Sequence, residues 1–203
     1  MKTGMKTRAV LDIRDLPEYA FGHRSIMWWG TLGFVAIEGT VFVLALTSYF
    51  YLRSKASQWP LGVPPPDLLP GIVNSVILFA SLYPNQRAKR AAEDEDAAGV
   101  KFWLVVCLAF GVAFNIVRIF EFRALNCRWD TNAYGSIVWT ILGLHTTHIL
   151  TDVIDTAVLT AAVFLRPIDG HRFVDVSENA FYWYFVVLSW VPIYAVIYLA
   201  PRL

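Results

Sequence analysis

Apolar residues gather in five runs along the chain, over residues 26–52, 68–83, 100–122, 134–165 and 180–200. A helix rises about 1.5 Å per residue, so roughly 20 apolar residues cross a hydrocarbon core of about 30 Å. Each run therefore predicts a transmembrane helix, with the second about one turn short of the usual length. Turn chemistry punctuates the connections: Pro64-Pro65-Pro66, Pro84-Asn85, residues 126–134, and residues 167–175. Pro201 ends the last run, and Pro192 inside it predicts a kink that neighbouring helices can cover in a membrane. No internal repeat is visible. The pattern predicts an all-α, integral membrane five-helix bundle over residues 26–203, preceded by a polar tail over residues 1–25.

Composition strengthens this picture and adds a direction. Hydrophobic residues make up 57% of the chain, with eight Trp, and the mean hydropathy is +0.50. A net charge of +1 gives no sign of a nucleic-acid partner. Cys107 and Cys127 have no redox or metal spacing and read as two free thiols. The N-terminal tail has no apolar core with a cleavage site, so it reads as a cytoplasmic tail rather than a signal peptide. Lys and Arg number eleven on the tail and the second and fourth connections, against five on the opposite side. The positive-inside rule then predicts a cytoplasmic N-terminus and an outside C-terminus. The acidic stretch from Glu93 to Asp96 falls on the cytoplasmic side and reads as a solvated loop.

Polar residues within the runs are the candidates for function. Glu38 stands midway along the first run, where an ionisable side chain costs roughly 2.5–3.5 kcal/mol on insertion scales. Only a partner, a proton or a function offsets that cost. On the third helix Asn115, Arg118 and Glu121 follow at steps of three and share a face, so Arg118 and Glu121 can pair. Near the outer end, Arg118 could also snorkel to the interface. On the fourth helix His145, His148, Asp152 and Asp155 project within roughly 80° of one another, a continuous polar stripe. Three readings of that stripe stand open: a packed interior network, a proton or ion pathway, and a metal site. Against the last, the chain has no Glu-x-x-His pair of the kind a di-iron bundle uses.

The order of motifs resembles subunit III of the haem–copper oxidases, the cytochrome c oxidase family. Glu38 in its apolar helix resembles the family's buried, carbodiimide-sensitive glutamate. Trp59-Pro60, the proline run and Asn74-Ser75 resemble its proline-rich loop and following helix. Glu121-Phe122, Tyr134-Gly135-Ser136, His145-Thr146-Thr147-His148 and Tyr182-Trp183-Tyr184-Phe185-Val186 complete the likeness, in the family's order. Five helices fit its short bacterial form. Tyr184 and Val187 stand where the family usually has His and Asp, and Arg118 where Gln is common.

The resemblance implies a non-catalytic subunit in the bacterial cytoplasmic (inner) membrane, partnered by subunits I and II. Haem and copper would belong to those partners, with no cofactor or metal in this chain. Its implied roles are to stabilise the catalytic subunit, to bind phospholipid, and to support proton uptake during oxygen reduction. Glu38 would be the proton-linked carboxylate. His145, His148 and Glu121 would form one interhelical network with Arg118, Asp152 and Asp155, while Trp59, Tyr182, Trp183 and Tyr184 would pack against lipid or a partner. Two alternatives are an accessory subunit of a nitric oxide reductase and, from another class, a small proton or ion transporter.

Overall fold

A computed structural model describes residues 19–203 of the chain. Most of the predicted tail, residues 1–18, lies outside the described residues. Five helices, or helix pairs, are long and apolar enough to cross a bilayer, and the described residues are otherwise loops and single turns.

Helix α1, Ile26–Lys55, starts at Ser25, whose hydroxyl accepts from the Met27 amide at 3.1 Å. Side-chain caps also open α4, Ala97–Arg123, from Asp96; α5, Ala133–Leu165, from Asn132; and α6, Gly170–Tyr194, from Asp169. Each cap satisfies an amide that the first helical turn leaves without a partner. The acidic stretch read as a solvated loop is thus partly structural. Asp96 caps α4, Glu93 ends the helix before it, and Glu95 accepts from the Tyr19 hydroxyl at 2.6 Å.

The second span is longer than expected. α2, Leu68–Ala80, is followed after Ser81 by α3, Leu82–Glu93, giving 26 residues rather than a short run. Pro84 lacks the amide that would bond back to Ala80, which explains the break at Ser81. The buried face of α3 is Pro84, Asn85, Ala88, Ala91 and Ala92. These small residues let other helices approach closely while Arg87, Lys89 and Arg90 depress the hydropathy. The fifth span is also longer, beginning at Gly170 instead of residue 180. Beyond Pro192 the chain continues as a π turn, Ala195–Leu199, and then a single turn ending at Arg202. The predicted disturbance is therefore a change of helical pitch.

α5 and α6 form the centre of the bundle. α1 packs against both of them, α4 lies between α5 and the α2–α3 pair, and α3 also meets α6. The main core gathers Ile141, Leu142 and Ile149 of α5 with Val186, Val187, Trp190 and Ile193 of α6. Gly111 lets α4 approach α5 so closely that a Cβ there would strike Val153. Large apolar side chains such as Ile37, Leu44, Val158 and Leu188 point outward. That surface suits hydrocarbon, and it leaves polar groups to be satisfied inside.

Candidate functional site

The polar residues separate into two interior clusters and one cavity. In the first cluster Glu38, its side chain 15% exposed, finds partners on both central helices. The Tyr182 hydroxyl donates to Glu38 Oε2 at 2.6 Å, and His148 Nε2 lies 3.3 Å from Oε1. His148 Nδ1 is 2.6 Å from the Leu144 carbonyl, so that nitrogen is the donor there. Nε2 is therefore the ring nitrogen that faces the Glu38 carboxyl. Phe42 covers the pair, its ring centroid 4.8 Å from that of His148.

The second cluster is deeper. Arg118 is 1% exposed and Glu121 fully buried, with Arg118 Nη1 3.0 Å from Glu121 Oε2. Arg118 therefore does not snorkel. Its guanidinium lies 4.6 Å from the Phe114 ring and 4.5 Å from the Trp190 ring, an aromatic enclosure that offsets part of its desolvation. Asn74 donates to Glu121 Oε2, and the Tyr198 hydroxyl donates to Oε1 at 2.5 Å. Arg118 Nη2 is 3.2 Å from His145 Nδ1, while His145 Nε2 meets the Val186 carbonyl at 3.1 Å. This assigns the His145 proton to Nε2 and leaves Nδ1 to accept from arginine.

The expected single network is thus divided. His145 and Glu121 belong with Arg118, whereas His148 belongs with Glu38, because residues three apart on α5 face different neighbouring helices. The polar stripe also changes character along its length. Asp152 is buried, but Asp155 is exposed and accepts from Asn179 at 3.3 Å. Both line a cavity of about 530 Å³ between α1, α5 and α6, which Tyr182 also lines. Among the described residues no three His, Cys, Asp or Glu come together as metal ligands.

The four singled-out aromatics place their polar atoms inside the chain. Trp59 donates to the Tyr49 hydroxyl at 2.9 Å, Trp183 to Ser81 at 2.8 Å, Tyr182 to Glu38, and Tyr184 to Gln86. Neither Asn74, named above only with Ser75 in a family-like stretch, nor Trp190 and Tyr198 was assigned to the polar network from the sequence. Asn74 carried a signal, an amide within an apolar helix, whereas nothing local marked Tyr198 and Trp190 as its neighbours.

Comparison with known proteins matches this chain to one family. The family model for cytochrome c oxidase subunit III matches residues 20–201. A cytochrome c oxidase subunit 3 from Synechocystis sp. is 26% identical over 183 residues, spanning 88% of this chain and 77% of that protein. A probable cytochrome c oxidase subunit 3 from Mycobacterium bovis is 29% identical, covering 83% of this chain and 85% of its own. One from Nocardia farcinica is 27% identical with the same coverage.

Proposed function

The chain belongs to the cytochrome c oxidase subunit III family, a multi-pass accessory subunit of haem–copper oxidases, and from that premise we propose its place in the complex. It sits beside subunits I and II of a bacterial terminal oxidase in the cytoplasmic membrane, N-terminus inside. Haem and copper reside in those partners. This chain stabilises the catalytic subunit, holds phospholipid against its outward apolar faces, and supports proton uptake. The observation that carries the proton role is the contact of Glu38 with His148 and Tyr182. It is a carboxylate in a membrane span with a polar partner on each central helix, a pattern that supports a proton-relay reading.

The test is to tag the chain, extract it in mild detergent, and record a reduced-minus-oxidised spectrum with metal analysis. Haem and copper in a large partner are the expected result. Haem with non-haem iron and no copper would instead indicate nitric oxide reduction, and a colourless, partner-free preparation would overturn the reading altogether. In the assembled oxidase, Glu38→Ala is expected to leave haem content unchanged while lowering proton uptake per turnover. Loss of the complex from the membrane would make Glu38 purely structural.

A further inference from the structure

The cavity between α1, α5 and α6 is lined by more carboxyl groups than cationic side chains. Asp152, Asp155, Asp175 and Glu178 line it, and Arg172 is its one cationic wall residue. Arg172 is already engaged, 3.7 Å from Asp175 one helical turn away. Asp155 accepts one bond from Asn179. Glu178 is only 5% exposed, yet its Oε2 has no hydrogen-bond partner among the described residues. A buried carboxylate oxygen left without a donor is costly, and a cationic donor placed in the cavity would satisfy it.

The arrangement also limits what that ligand can be. A divalent metal ion needs carboxylate oxygens converging within about 2.0–2.6 Å of one point. Among the described residues no three acidic or other ligating groups converge in that way. The carboxyl groups come instead from two helices, and Met27, Phe34, Val158 and Leu159 complete the wall. Separated anions across an apolar wall match separated cations on an apolar stem. The volume, about 530 Å³, falls within the range of small-molecule sites.

We infer that this cavity binds an aliphatic diamine or polyamine, with one ammonium group at Glu178 and another at the Asp152–Asp155 side. Its methylene chain lies along Phe34 and Val158. Neither step depends on which oxidase, or which partner, the chain serves.

The experiment is calorimetric titration of the protein as purified in mild detergent, with whatever subunits accompany it. The probes are 1,4-diaminobutane, spermidine, n-butylamine and magnesium chloride. One saturable site per chain is expected, with the diamine binding at least about tenfold tighter than the monoamine and with weak competition from magnesium. Glu178→Gln keeps the shape of the side chain, and Asp155→Asn alters an exposed position while keeping an oxygen that can accept from Asn179. Each should weaken diamine binding at least about fivefold, with extraction yield and span content unchanged. The inference is overturned if no saturable heat appears, if both variants bind as the parent does, or if magnesium competes equally. It is also overturned if binding appears only after delipidation and is blocked by phosphatidylethanolamine, which would give the cavity to a lipid head group.

Discussion

The hydroxyl of Tyr182 donates to Glu38 Oε2 at 2.6 Å, joining residues 144 positions apart on the first and last spans. A hydrogen bond to a charged or strongly polar buried group contributes about 1.5–3 kcal/mol. A double-mutant cycle with Tyr182→Phe and Glu38→Gln, followed by unfolding in mild detergent, should return a coupling energy of about 1–3 kcal/mol. Additivity within about 0.5 kcal/mol would show that the two side chains do not interact.

The buried Arg118–Glu121 pair predicts an asymmetry between single and double variants. Arg118→Leu leaves the Glu121 carboxylate facing only Asn74 and Tyr198, and Glu121→Leu leaves the guanidinium between two rings and a histidine. Each single change should cost about 3–5 kcal/mol, and the double change markedly less than their sum. The amount of folded chain recovered from membranes provides the readout. A loss in the double variant equal to the sum of the two single losses would count against a compensated pair.

Gly71 sets how close α2 comes to the last span. A Cβ there would lie 2.6 Å from Tyr198 Cζ, and that ring is stacked on Tyr194 and tied to Glu121. The ring is 1% exposed and has little room to retreat. Gly71→Ala should therefore cost about 1–3 kcal/mol by overpacking, and pairing it with Tyr198→Phe should recover part of the loss. A thermal midpoint equal to that of the parent would show that α2 simply shifts.

Outside the membrane spans, Arg128 donates to both oxygens of Asp130 at 3.0 Å. These bonds hold the Asp130 carboxyl below the usual carboxylate range. A depressed folded-state value means the stabilising effect is present above the ordinary aspartate range and is lost as pH falls through the lower, folded value. Titration of a carboxyl-labelled Asp130 should thus show a midpoint below that of free aspartate, returning to the ordinary value in Arg128→Ala. The same midpoint in both proteins would mean that the exposed pair is not populated in solution.

The spans and their polar intruders could be read from the chain because hydropathy and helical spacing are local properties. Glu38 stood out, and Arg118 and Glu121 were a visible pair at a step of three. The partners supplied by other helices were not readable, since Asn74 and Tyr198 meet Glu121 only after distant helices assemble. The division of His145 from His148 depends on where α1 and α4 dock around α5, which spacing on α5 alone does not encode. The second span runs beyond its apolar stretch, and a hydropathy window hides that because it averages both faces of α3. Lys89 pairs with Glu93 and Arg87 stacks on Trp103 on the open side, while the alanines face inward.

The docking of α1 carries a consequence for how the protein is made. Only Phe42 and Tyr49 of its thirty residues are buried, and Glu38 takes its partners from α5 and α6. During synthesis α1 leaves the ribosome before α5 and α6, the helices that satisfy its carboxyl. It must wait in the bilayer, or in the care of the insertion machinery, until those two arrive. Biogenesis therefore cannot settle α1 in place until α6 has been made.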